Sequence, residues 1–352
     1  MLQTFFMVSQ VMLTPDKVSY IDMSALEQPY LVVVIDTEEE FDWSQDFDRK
    51  NTNVHSMEFI KRGQRVFDDF NITPVYVVDY PIVSQPQGHE ILKEILDDDR
   101  CHIGVHLHPW VTPPFEEDIT RENSFTGNLP LQLEKEKIKQ TAELINTVFG
   151  KRPVIYKAGR YGVGKNTATI LEELKFEIDL SICPHMDFSY EKGPNFTQYN
   201  ATPFWFGEKN KLLELPLTNG FTGLLRRRGM SLYNYLSKSI ALKLHAPGIA
   251  AKSGLLNKLC LSPEGFSCSE LIELVTTLYK DGLRIFSFAL HSPSLNPGNT
   301  PYVCSNKELR QFLKRCTRFF DFFINKLEGK TVTPSALRTQ LLQNKSSTTE
   351  AK

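Results

Sequence analysis

The run Leu31-Val32-Val33-Val34-Ile35, continued by Asp36-Thr37-Glu38-Glu39-Glu40, decides the fold. Five consecutive apolar, mostly β-branched residues mark a strand buried on both faces, which is the habit of a parallel sheet covered by helices. In such sheets the chemistry gathers where the strands end, so an acid that directly follows the strand is a site candidate. Asp36 and Glu38, two apart, point to one side. Glu39, Glu40 and Asp42 are expected to form a solvated acidic loop that leads into the next helix.

Working outward, the spacing predicts a helix over 56–70, a strand over 73–78, and a second amphipathic helix over 89–99. The next segment, His102-Ile103-Gly104-Val105-His106-Leu107-His108-Pro109-Trp110, reads as a third strand stopped by proline. His106 and His108 face one side of its end. Imidazole pairs at this spacing suit a divalent metal, provided a third ligand comes from elsewhere. The competing reading is two half-buried histidines held by hydrogen bonds. Ile103-Gly104-Val105 argues against the helix that would bring His102 to the same point.

Strand and helix continue to alternate. A Pro-rich loop over 112–130 precedes a helix over 134–149 closed by Gly150. A strand over 153–156 runs into Lys157-Ala158-Gly159-Arg160-Tyr161-Gly162, where Arg160 is either a bidentate partner for a carboxylate or a surface residue of a glycine loop. A helix over 166–174 leads to short strands over 176–181, with Asp179 and Ser181 near its end, and over 212–217, broken by Pro216. The period is lost near 222–261, which reads as an insertion. Its Arg226-Arg227-Arg228 is either a solvated loop or a partner for an anionic saccharide or lipid head group. A helix over 269–280 and a strong strand over 283–290 follow, the strand ending at His291. A helix over 308–327 closes the fold. Residues 1–28 read as an extension, 29–330 as one domain, and the Ser/Thr/Gln/Lys-rich 331–352 as a disordered tail.

Composition narrows the function. Hydrophobic residues are 41% and charged residues 23%, and the formal net charge of −2 supplies no field for nucleic acid. Six scattered cysteines without a C-x-x-C pair point to a reducing compartment, the cytoplasm. No run is long enough for a spanning helix, and no basic residue precedes Lys17 as a leader would require.

Taken in order, Asp36-x-Glu38, His106-x-His108-Pro109, Lys157-Ala158-Gly159-Arg160-Tyr161-Gly162, Asp179-Leu180-Ser181, Glu214-Leu215-Pro216 and His291-Ser292-Pro293 resemble the motif series of the polysaccharide deacetylase (NodB-homology) family. More closely the chain looks like the WalW-type branch, associated with surface polysaccharide and lipopolysaccharide. The resemblance covers about 30–325. It implies an α/β fold, an irregular, incompletely closed (β/α) barrel of about seven parallel strands. It also implies a divalent metal, most readily zinc, with manganese or cobalt suited to the same ligands. Carried over, Asp36 is the catalytic base, Glu38, His106 and His108 hold the metal, Arg160 or Lys157 positions the base, and His291 is the general acid. Two departures stand out. The family usually has adjacent aspartates where this chain has Asp36-Thr37-Glu38, and histidines four apart where this chain has them two apart.

The implied reaction is metal-dependent removal of an acetyl group from an N- or O-acetylated sugar, with Trp110, Tyr161 and Tyr302 as stacking surfaces for the carbohydrate. Two other classes use the same residues: a hydrolase of another non-peptide C–N bond, and a saccharide-binding relative without activity. An amidohydrolase barrel also has His-x-His, but on its first strand, with a metal-bound lysine or further histidines.

Overall fold

A computed structural model describes residues 18–42, 45–209, 211–236 and 246–350. Seven parallel strands form the scaffold. In chain order they are β2 (Tyr30–Thr37), β3 (Val75–Val78), β4 (His102–Leu107), β5 (Ile155–Ala158), β6 (Ile178–Asp179), β8 (Leu212–Glu214) and β11 (Ile285–His291). Their order across the sheet is β11-β2-β3-β4-β5-β6-β8, and the sheet curls into an open half-barrel surrounded by helices. Two short antiparallel strands, β7 (Phe204–Phe206) and β1 (Ser19–Tyr20), extend the β8 edge. The sequence reading of an incompletely closed (β/α) barrel describes this architecture.

All eight residues of β2 are buried, as its uninterrupted apolar run requires. It sits between β11 and β3, in a register that places His291 opposite Asp36 and Asp36 opposite Val77. The opening between β8 and β11 is bridged by a hairpin of β9 (Asn219–Thr222) and β10 (Asn257–Cys260). Thr218 accepts from Ser287 N–H at 2.8 Å, and Leu261 O accepts from Ala289 N–H at 3.2 Å. The segment expected as an insertion near 222–261 therefore starts and ends on strands that patch the barrel, and its residues 237–245 lie outside the described residues.

The helices cover the outer face. In Asn306–Asp321 the residues Phe312, Phe319 and Phe320 are buried, with Phe319 stacked on Phe288 of β11 at 5.3 Å between centroids. Each such side chain contributes roughly 1.5–3 kcal/mol when removed from water. Gly150 ends helix Leu131–Phe149 at φ 69°, a left-handed cap that glycine adopts without strain. The tail differs from expectation. Pro334–Glu350 is a helix, with Leu337 and Leu341, four apart, buried against the barrel, and Arg338 paired with Glu177 at 3.2 Å. Its polar composition concealed one apolar stripe.

Candidate functional site

Two strand ends meet in Glu38, His106 and His108. Glu38 follows β2, His106 is in β4 and His108 lies one residue past it; exposures are 4, 2 and 1%. Glu38 Oε2 stands 3.4 Å from His106 Nε2 and 3.5 Å from His108 Nε2. Donors bound to one zinc at its usual bond lengths stand about 3.4 Å apart in a tetrahedron, so the three atoms fit a single ion and leave a coordination position open. Two-residue spacing on an extended strand is what lets both rings reach one point.

The other face of each ring is held. His106 Nδ1 lies 3.1 Å from Lys157 O, and His108 Nδ1 lies 2.7 Å from Glu39 Oε2. With those nitrogens donating, both Nε2 atoms present lone pairs toward Glu38. Glu39, expected in a solvated loop, is instead fully buried. Its Oε1 accepts from Trp110 Nε1–H at 3.0 Å, and its own N–H donates to Asp79 Oδ2 at 2.7 Å. Burial pushes the Glu39 carboxyl up to about 7, and burial together with the Glu39 charge pushes Asp79 well above the usual range. Glu39, Asp79 and His108 form a second cluster of metal-type side chains. The 2.7 Å Glu39–His108 separation is a hydrogen bond, too short for two donors sharing an ion, so this cluster supports His108 rather than binding a second metal. Gly159 permits the arrangement, because a Cβ there would stand 2.2 Å from His108 Cδ2.

Beside the triad lies Asp36, 3% exposed. Lys157 Nζ donates to its two oxygens at 2.6 and 2.5 Å, and His291 Nε2 stands 3.6 Å from Oδ2. Burial alone would raise this carboxyl; the charges of Lys157, His291 and His106 overcome that and hold it at about 2. His291, its side chain one-third exposed, is backed by Glu264, which accepts from Nδ1–H at 2.7 Å, from the His291 backbone N–H at 3.1 Å and from Ser294 Oγ at 2.5 Å. Desolvation works against the imidazolium, but Glu264, Glu38 and Asp36 hold its pKa well above the ordinary value.

The remaining sequence candidates fall differently. Arg160 does not reach Asp36; its backbone turns left-handed at φ 53°, and its guanidinium binds Ser124 and Glu191 over the Phe125 ring. Lys157 occupies the position beside the acid. Trp110, expected to stack on a sugar, is 2% exposed and lies against His108 at 4.3 Å between centroids, so it offers no free face. The turn Pro109–Val111 folds it beneath the histidine. Tyr161 is half-buried, stacked on Phe188, with Lys157 Nζ 5.4 Å from its ring centroid. Tyr302, 49% exposed, lines a cavity of about 200 Å³ together with Glu38, Phe41, His291, Asn299 and Thr300. Asn299 brings to this cavity a buried Nδ2 that meets no acceptor among the described residues. Sequence reasoning missed Glu264, Asp79 and Asn299; of these, Asp79, directly after the apolar run Val75-Tyr76-Val77-Val78, carried a local signal like that of Asp36.

No known family model and no curated protein matches the chain. Among solved structures it is similar to a protein assigned as a polysaccharide deacetylase from Mycobacterium smegmatis, 14% identical over 93% of this chain and 94% of the other, at a TM-score of 0.51. PuuE allantoinase is likewise 14% identical, over 88% and 89% of the two chains, at 0.50. The 4-alpha-glucanotransferase from Thermococcus litoralis is 11% identical over 90% of this chain and 40% of its own, also at 0.50. What these proteins share with the chain at such identities is the half-barrel fold.

Proposed function

We propose that the chain is a metal-dependent hydrolase that removes an acetyl group from an acetylated sugar, in the surface-polysaccharide branch that its motifs resemble. The observation that carries this reading is the meeting of three units at one barrel edge: the Glu38/His106/His108 triad, the Asp36–Lys157 pair and the His291–Glu264 pair. The shared fold of a protein assigned as a polysaccharide deacetylase supports it.

Glu38, His106 and His108 would hold the divalent ion, zinc by the donor set, and the ion would supply polarisation of the acyl carbonyl and acidification of a water. Asp36, kept ionised by Lys157, accepts the proton of the attacking water. His291, kept protonated by Glu264, delivers a proton to the leaving nitrogen or oxygen, without which an amine is a poor leaving group. Asn299 Nδ2–H and the exposed Tyr302 ring are the groups available to a sugar at the mouth. Lys157 takes the positioning role that the motif comparison divided between it and Arg160. We assign the cytoplasm as compartment on the cysteine pattern; thiol titration after non-reducing purification checks it.

The similarity to an allantoinase keeps a hydrolase of small cyclic amides as the second reading. The test is elemental analysis of the purified protein with an acetate-release assay on acetylated amino sugars and a parallel assay on cyclic amides. The expected result is about one zinc-like ion per chain, lost in His106→Ala and in His108→Ala, with acetate released only by the metal-loaded wild type. Full metal occupancy in the double alanine variant refutes the ligand assignment, and turnover confined to cyclic amides replaces the sugar by the second substrate class.

A further inference from the structure

The hairpin that patches the barrel carries a surface unrelated to the site. Between Glu214 and Glu264 the sequence contains no Asp or Glu, although the whole chain has 42, while Lys and Arg recur through the same stretch. At the far end of the hairpin Leu224 N–H donates to Gly254 O at 3.1 Å and Leu225 N–H to Leu255 O at 2.9 Å. The two leucine positions of one arm therefore lie beside Leu255 of the other. Ile249 is close in the chain, on helix Ala246–Lys252, with its carbonyl bonded to Ser253 N–H at 3.0 Å. Leu224 is 81% exposed, Ile249 62%, Leu255 42% and Leu225 41%. Arg227, Arg228 and Lys252 are exposed in the same segment. Arg226 is turned the other way, in a two-bond pair with Asp281 at 2.9 Å that fastens the hairpin to the barrel.

Aliphatic tips whose own segment carries cations and no acid have two needs: removal from water, and negative charge around the place where they are buried. A nucleic acid would answer the charge and leave the leucines wet. The headgroup boundary of an anionic bilayer meets both needs, since acyl chains receive the leucines while phosphates surround the arginines. We propose that this hairpin end docks the protein peripherally on anionic lipid membranes, through Leu224, Leu225, Ile249 and Leu255 inserted and Arg227, Arg228 and Lys252 at the surface.

The placement has a consequence for access. Asp281, to which the hairpin is fastened, lies just before β11, and His291 ends that strand about 20 Å further on. Docking thus leaves the mouth of the candidate site turned away from the bilayer, open to substrate in the aqueous phase. This proposal does not depend on the reaction proposed above.

The experiment is co-sedimentation of the full-length protein with vesicles of phosphatidylcholine alone and of phosphatidylcholine with phosphatidylglycerol, at low and high salt. Binding is expected to the anionic vesicles only, and to weaken as salt rises. Arg227→Ala/Arg228→Ala is expected to lower partitioning by about twenty-five-fold, near fivefold for each charge. Leu224→Ser/Leu255→Ser, on the solvent side and neutral to folding, is expected to lower it at unchanged melting temperature. No binding to anionic vesicles at low salt, equal binding to neutral ones, or undiminished binding by both double variants overturns the proposal. So does a wild type that ignores vesicles and dimerises through these leucines.

Discussion

Buried acids stand at three strand ends of one sheet, and the groups around them set their charge differently. Asp36, closing β2, faces Lys157 and His291 and stays ionised, with a pKa held at about 2. Asp179 of β6 and Glu214 of β8 are register partners, and each is fully buried. Ser181 Oγ–H donates to Asp179 Oδ1 and Ile182 N–H to Glu214 Oε1, while Asp179 Oδ2 and Glu214 Oε2 meet no donor among the described residues. Among the described residues no cation bonds to either. Burial pushes Asp179 up to about 6, and burial with the charge of Asp179 pushes Glu214 well above the usual range, so the pair retains a proton between its two unbonded oxygens. A strand-end acid is held ionised by the cation facing it; without one, burial makes it keep its proton to higher pH.

Removing that cation should have the largest effect. Lys157→Met leaves Asp36 buried without its hydrogen-bonded cation, which is expected to cost about 3–5 kcal/mol of stability, and Asp36→Asn/Lys157→Met should recover most of it. Denaturant unfolding of the two variants measures both quantities. Next in size is Glu39→Gln. An amide cannot accept from both His108 and Trp110, so zinc affinity in a chelator competition is expected to fall by about 10–100-fold while the fold is kept.

Glu264→Gln sharpens the contrast through pH. His291 is held above its ordinary value by carboxylates, so removing one lowers it. In a bell-shaped kcat/KM profile the alkaline limb should then move to lower pH while the acid limb, set by Asp36, stays in place. The smallest effect belongs to the other pair. Asp179 and Glu214 have folded-state values raised above their unfolded ones. Their stabilising contribution is therefore complete below the unfolded carboxylate values and is lost as pH rises through about 6 for Asp179. Asp179→Asn removes that loss, and its unfolding free energy by denaturant should exceed that of wild type at pH 8 by an amount on the order of 1 kcal/mol, with the difference closing near pH 4.

The parts of this architecture that are written locally could be read from sequence. The apolar run at 31–35 announced a doubly covered strand, His-x-His before proline announced two rings on one side, and the phenylalanines of 312–323 announced the closing helix. The rest depends on partners distant in the chain. Glu39 looks like Glu40, and only Asp79 and Trp110, brought up by two other strands, make it a buried support for His108. Lys157 is in β5 and Arg160 in the turn just past its end, and the left-handed backbone at Arg160 leaves Lys157 as the one that faces Asp36. Glu264 sits at the end of a stretch without period, and the hairpin's return to β11 is what delivers it to His291.

The most direct measurement compares turnover by Asp36→Asn and Asp179→Asn, each corrected for folded fraction and metal content, on the acetylated sugar that the wild type hydrolyses. The account predicts a loss of about a hundredfold or more for Asp36→Asn with zinc retained, and turnover within a few-fold of wild type for Asp179→Asn. Equal losses in the two variants, or an active Asp36→Asn, would contradict it.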